Sequence, residues 1–212
     1  MAINPNTAWP NLHNLYLAAS GGGKSQAIKQ NKEIPAQGAR VVAWDVDEDH
    51  NVRHFDSRPA FARALLSACK SGRGFRIGWA GAGDVGTFEW FCQLVFAALD
   101  GRVKTHVLIE ELADVSPSAG KATPAFGQLL RRGRKYGAVI HAASQRGTEI
   151  SKTVYTQCSR HWVGIQEGVD VDRMARLCAV PPDLIKGLKP LQFLYKEAGK
   201  PPVKRQLNKP GK

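Results

Sequence analysis

Three short stretches of this sequence carry residues whose types and spacing point to phosphate chemistry. In the first, AASGGGKSQ over residues 18–26, three glycines precede a lysine and a hydroxyl. Glycines let successive backbone N–H groups turn toward one anion, and a helix beginning at Lys24 adds the positive end of its dipole. Ser20, Gly21, Gly22, Gly23, Lys24, Ser25 and Gln26 therefore form a candidate phosphate cradle. In it Lys24 reaches the β- and γ-phosphates of a nucleotide and Ser25 offers its hydroxyl to Mg2+. The stretch departs from G-x-x-x-x-G-K-[ST] at its first position, where Ala18 stands. The second stretch, THVLIEELADV, is an apolar run that stops at Glu110 and Glu111. Mg2+ is hard and partly hydrated, so it needs a carboxylate near Ser25, and hydrolysis needs another to polarise water. By position Glu110 is the metal-side residue and Glu111 the base. Aspartate is usual at the first of these, so the longer arm of Glu110 is expected to work through water. The third stretch, GAVIHAASQRG, ends an apolar run in Ser144, Gln145 and Arg146. Ligands of open α/β sheets bind at such strand ends, which places Gln145 to sense the γ-phosphate and hold the attacking water.

These stretches need a scaffold that brings strand ends together. Short apolar runs alternate with longer amphipathic ones, the pattern of a mostly parallel sheet with crossover helices. Strands are predicted at 14–19, 39–45, 74–79, 105–110, 137–143 and 160–165, and helices at 24–32, 58–70, 84–99, 123–135 and 170–178. A last strand, LQFLYKE, is predicted at a sheet edge after Pro181-Pro182. The chain has 212 residues, which suits one α/β domain, predicted over 1–197, followed by a Pro/Lys-rich tail over 198–212. No apolar run approaches the roughly 18–20 residues of a membrane span, so no stable membrane insertion is expected. The segment MAINPNTAWPNLHN lacks the charged and apolar regions of a secretory signal, so a cytoplasmic, not secreted, location is expected. Cys69, Cys92, Cys158 and Cys178 show no C-x-x-C spacing and read as reduced thiols. His106, His141 and His161 have no ligand spacing and read as packing residues.

The net charge is +12, which favours a polyanionic partner. From Lys196 onward the chain carries +5 and reads as a poorly ordered basic tail, leaving +7 on the body. Within the body, RRGRKYG over residues 131–137 concentrates four basic residues just before the Gln145 strand. One of these arginines is a candidate finger that neutralises transition-state charge at a neighbouring subunit's nucleotide. As a plain helix end, the same residues would complement their own dipole.

Together, AASGGGKS, VLIEEL, RRGRKYG and AASQRG occur in the order and spacing of the HerA/FtsK superfamily of DNA-translocating ATPases, which the sequence resembles over residues 14–166. The resemblance implies a RecA-like (ASCE) P-loop NTPase core, ATP and Mg2+ as cofactors, a homo-oligomeric, hexameric ring with ATP between subunits, and double-stranded DNA through its middle. It makes Arg134 the first candidate for the trans arginine, from the family's G-R-K, with Arg146 second. It also sets Asp45, in VVAWDVDEDH, beside the nucleotide, while Asp47, Glu48 and Asp49 read as a solvated loop. FtsK-type motors carry membrane helices and a winged-helix domain, and HerA-type motors an N-terminal β-barrel. Neither is visible here, so the sequence looks most like the genome-packaging ATPases of tailless icosahedral viruses with an internal membrane. The expectations are a motor in the host cytoplasm at the packaging vertex, with capsid vertex proteins as partners. A plasmid or conjugative DNA-transfer ATPase is the alternative, and a small-molecule kinase fits the acidic pair less well. DNA contact is expected at phosphates, because a packaging motor must not read sequence. SPSAGKATP over 116–124, with Lys121, and AGAGDVG over 80–86 are the candidate pore loops.

Overall fold

The computed structural model describes residues 2–209. In chain order its elements are β1 (Asn14–Leu17), α1 (Lys24–Lys29), β2 (Arg40–Trp44), β3 (Arg53–Phe55), α2 (Arg58–Lys70), β4 (Phe75–Trp79), α3 (Val85–Ala98) and β5 (Thr105–Ile109). They continue with α4 (Pro124–Arg132), β6 (Ala138–Ser144), α5 (Lys152–Gln157), β7 (Arg160–Val163), α6 (Val169–Cys178), α7 (Pro182–Lys186), β8 (Gln192–Glu197) and β9 (Val203–Gln206). Among the described residues the nine strands form one sheet in the order β3-β4-β2-β5-β6-β1-β7-β8-β9. Pairing is parallel from β3 through β7 and antiparallel for β8 and β9.

Alternating strand side chains separate two apolar clusters on opposite faces. Val42, Trp44, Val107 and Ile109 join the α2 to α6 side chains, among them Phe61, Phe88, Phe91, Phe126 and Met174, in the larger cluster. Val41, Ala43, Leu108 and Ala143 join α1 residues Ala27 and Ile28 in the smaller one. The apolar stretch TFEWFCQLVFAAL forms α3 up to its C-cap Leu99, and the start of the helix is capped by Asp84 accepting the Thr87 N–H at 2.9 Å. Helix α4, which follows the acidic strand, is fixed to α3 by Glu89, whose carboxylate accepts from the Thr123 hydroxyl and from the backbone N–H groups of Ala125 (2.9 Å) and Phe126 (3.2 Å).

Register sets the site. Leu17 pairs with Ser144 and Val163, Ile109 with Ala142, and Trp44 with Ile109. The next residues along these strands, Ala18, Gln145, Glu110 and Asp45, therefore emerge along one edge.

The sequence-predicted strands and helices are present, with three corrections. Short β3, α5 and α7 were not anticipated. The predicted edge strand is β8, and the edge belongs to β9, which pairs with it. The segment from Lys196 onward is accordingly not an unstructured tail: Glu197 ends β8, residues 203–206 form β9, and Arg205 stacks over Tyr195 (3.8 Å) and Trp162 (4.7 Å). The last three residues of the predicted tail lie outside the described ones.

The predicted packing histidines His106, His141 and His161 are buried and hydrogen-bonded, and so is His13, which was outside that prediction. On the α1 side of the sheet, Asn31 donates to the Tyr16 hydroxyl (2.7 Å), which meets His141 Nδ1 (3.0 Å), and His141 Nε2 meets His106 Nδ1 (3.0 Å). His13 accepts from the Ile140 N–H on Nδ1 (3.2 Å), so its Nε2 donates to the Leu130 carbonyl (3.2 Å). Burial pushes His13 and His106 from 6.5 down to about 4, and His141 well below its ordinary value. Between these values the unfolded chain takes up protons that the folded chain refuses, so stability falls as pH drops through that window. We expect Tm to decline from pH 7 to pH 5, as unfolding free energy is lost at up to about 1.4 kcal/mol per pH unit for each such histidine in mid-window. A melting temperature flat over that range in calorimetry contradicts this.

Candidate active site

The glycine loop leaves the C-terminal end of β1 and turns directly into α1 at Lys24. Gly21 (φ +71°) and Gly23 (φ +101°) occupy backbone conformations that side chains rarely adopt. A Cβ on Gly22 would lie 2.8 Å from the Ala18 Cβ, and one on Gly23 2.7 Å from Leu191 Cδ2. The first N–H groups of α1 have no intrahelical acceptor and face outward from the loop as potential donors. Leu191 (φ +66°), on the connection into β8, donates its N–H to the Gly22 carbonyl at 3.0 Å and so straps the loop from the C-terminal side. A pocket of ≈ 400 Å³ opens over the loop, lined by Gly21, Gly23, Lys24, Ser25, Gln26 and, across from them, Asp49 and Leu191. Ser20 is exposed at the start of the turn.

Lys24 is only 8% exposed, and its Nζ lies 3.8 Å from Glu111 Oε1. The same carboxylate oxygen accepts from Gln145 Nε2 at 3.2 Å. Glu111 stands just past the end of β5 in a left-handed conformation (φ 42°, ψ 53°) and remains 31% exposed. Strain of this kind in a non-glycine residue persists where surrounding contacts over-determine it. Here the contacts are those that aim the carboxylate between Lys24 and Gln145. Glu110 points the other way. It is 7% exposed, and its Oε1 accepts from His50 Nε2 at 2.7 Å.

The structure thus brings Lys24, Glu111 and Gln145 into one contact group, with Ser25 and Glu110 on its flank. Arg134 is not part of it. It lies before β6, at the opposite sheet edge, and donates to the carbonyls of Thr7 and Trp9, so in its own chain it anchors the N-terminal segment. Arg146, 57% exposed, lies on the site edge and pairs with Glu149 (2.8 Å) and Asp170 (3.4 Å). Asp45 is fully buried at the end of β2. The acidic loop after it is not merely solvated, because Ser25 Oγ donates to Asp49 Oδ2 at 3.1 Å. Sequence reasoning missed Asp49 and His50, whose only signal is their place four and five residues after Asp45.

A cradle that glycine alone fits and a hydroxyl-carboxylate set suit a phosphate group with Mg2+, since both are hard oxygen partners. Among the described residues no group of three or more His, Cys, Asp or Glu could hold a metal unaided. Ser25 and Glu110 are the side chains that would meet Mg2+, which when bound neutralises charge on phosphate oxygens.

A phosphate loop at the end of β1, an acidic pair at the end of β5 two strands away and an amide at the end of β6 between them give the chain the fold and site layout of a P-loop NTPase. No protein-family model matches the chain. It belongs to the family of Protein P9 of Pseudoalteromonas phage PM2, with which it is 38% identical over 205 residues, covering 93% of this chain and 91% of that one. Its fold is shared with the genome packaging NTPase B204 of Sulfolobus turreted icosahedral virus 2 in complex with AMPPCP, at TM-score 0.78 and 16% identity over 94% of this chain and 100% of that one. It is shared also with the bacterial conjugative coupling protein TrwBdeltaN70, at TM-score 0.65 and 12% identity over 95% of this chain and 86% of that one.

Gly23→Ala tests the strap between loop and β8. It forces a side chain into φ +101° against Leu191, and we expect it to cost at least about 1–2 kcal/mol in urea unfolding. Unchanged stability contradicts the tight seat of Leu191 on the loop.

Proposed function

We propose that the chain hydrolyses ATP with Mg2+ and couples this to translocation of double-stranded DNA, as the genome-packaging motor of a virus. The observation that carries the chemistry is the single Glu111 oxygen shared by Lys24 and Gln145. In hydrolysis the Lys24 ammonium turns from Glu111 to the β- and γ-phosphates, which frees Glu111 to accept the proton of the water whose oxygen bonds the γ-phosphorus as the bond to the departing ADP breaks, while Gln145 keeps the carboxylate aimed and touches the γ-phosphate. Ser25 and Glu110 serve the metal side. Membership in a phage protein family supports the viral setting, and the fold shared with a packaging NTPase supports the task. The fold shared with a conjugative coupling protein supports a DNA-transfer ATPase as the second reading.

By this reading the working form is a hexameric ring at the packaging vertex, in contact with capsid vertex proteins and with DNA phosphates. Lys121 is exposed on the loop after β5, whose Ala119 and Gly120 carbonyls both accept from Lys152 N–H at 3.0 Å, and it is the candidate pore residue. Of the two arginines considered, Arg146 is free of backbone anchoring and lies on the site edge, so it is the one proposed to act in trans.

Two experiments test this. Lys24→Ala should remove ATP hydrolysis while the fold survives, and Glu111→Gln should bind Mg·ATP yet slow turnover by about 10²–10⁴-fold. Normal turnover by folded Lys24→Ala overturns the function. For the trans role, Arg146→Ala mixed with Lys24→Ala should recover DNA-stimulated hydrolysis in co-assembled rings, since only mixed interfaces pair an intact loop with an intact arginine. Recovery with Arg134→Ala instead reverses the assignment.

A further inference from the structure

The metal side of the site has an unusual distribution of acids. Glutamate stands at position 110 where aspartate is usual, and its Oε1 is committed to His50 at 2.7 Å, with both side chains almost fully buried. The carboxylate beside Ser25 comes instead from the loop between β2 and β3, where Asp49 Oδ2 accepts from Ser25 Oγ at 3.1 Å. Asp49 and His50 are consecutive, and one residue holds both in place. Buried Asp45 accepts the Asp49 N–H on Oδ1 and the His50 N–H on Oδ2, each at 2.9 Å, and His54 Nε2 at 2.7 Å. The loop bends back through Glu48 (φ 56°), whose N–H donates to the Asp45 carbonyl at 3.1 Å.

This geometry has a chemical consequence. A serine hydroxyl has one proton and two lone pairs. When the proton goes to Asp49, the lone pairs are left for a hard cation, and the hydroxyl cannot turn its hydrogen toward that cation. His50 likewise fixes one Glu110 oxygen, which leaves the other to face the site or a bridging water. Partners that orient the groups meeting a metal govern affinity nearly as strongly as those groups do.

We propose that Asp49 and His50 are a pair of positioning residues, hung from Asp45, that orient Ser25 and Glu110 for magnesium-bound nucleotide. The proposal rests on the Mg·ATP reading above. Asp49 takes on, from another loop, the contact with the phosphate-loop hydroxyl that a short acid on the β5 strand would make. The longer Glu110 is held back by His50.

The test is a Mg2+ titration of fluorescent methylanthraniloyl-ATP binding, repeated in EDTA, for wild type, Asp49→Ala, Asp49→Asn, His50→Gln, His50→Ala and the neighbouring Asp47→Ala. Asp49 is exposed, so both of its variants are expected to fold, which circular dichroism checks. Asp49→Ala should raise the Mg2+ concentration at half-saturation by about 10–100-fold without weakening binding in EDTA, and Asp49→Asn, whose amide oxygen still accepts from Ser25, should recover most of the loss. His50→Ala should shift in the same direction, His50→Gln should keep a donor and recover most of the loss, and Asp47→Ala should match wild type. A folded Asp49→Ala with the Mg2+ requirement of Asp47→Ala overturns the role of Asp49, and equal shifts for His50→Gln and His50→Ala overturn that of His50. Wild type without any magnesium-dependent binding overturns the nucleotide reading itself.

Discussion

A nearly buried lysine needs a counter-charge, and much of this structure follows from where it finds one. Lys24 is 8% exposed, and a cation held so far from water is costly unless paired. Its partner, Glu111, arrives from a strand two places away in the sheet, and Gln145, on the strand between, donates to the same oxygen. Three strands must therefore end level with one another, which the parallel registers of β1, β6 and β5 secure. The left-handed backbone at Glu111 is the local cost of that convergence. Under the proposed function, a phosphate entering the loop would compete with Glu111 for Lys24, which would make substrate binding and release of the base one event.

The remaining parts of the site are arranged to leave that exchange free. Leu191 holds the glycine loop by its carbonyl at Gly22 and engages none of its N–H groups, of which that of Gly22 donates to the Ala19 carbonyl at 2.9 Å. Asp45 is fully buried and spends its acceptor capacity on its own loop and His54, which makes it a fixed post from which Asp49 and His50 reach forward. Beneath the site, the chain from Asn31 through Tyr16 and His141 to His106 ties the end of α1 to β1, β6 and β5 by hydrogen bonds. The same elements that carry the chemistry are thus coupled on the α1 side of the sheet.

Strands buried on both faces show in the sequence as apolar runs, which is why β1, β2 and β4 to β7 and the residues at their ends were readable. Lys24, Ser25, Glu110, Glu111 and Gln145 sit where strand-end reasoning put them. The short β3 and exposed β9 have no such pattern. The residues Val-Lys-Arg-Gln of β9 are all exposed, and only pairing with β8 makes them a strand. Arg134 was chosen by resemblance to a motif, and no pattern in the sequence shows that its guanidinium is engaged by carbonyls more than a hundred residues earlier. Asp49 and His50 were hidden for a different reason. Acids in a run normally face water, a histidine after them carries no ligand spacing, and what makes these two specific is a buried aspartate that accepts both of their backbone N–H groups.

The most direct test of the account is a structure of the protein with Mg2+ and a non-hydrolysable ATP analogue. The account predicts that Lys24 Nζ leaves Glu111 Oε1, now 3.8 Å away, for phosphate oxygens, while Gln145 stays within hydrogen-bonding distance of Glu111. A bound analogue with Lys24 still on Glu111 would contradict it.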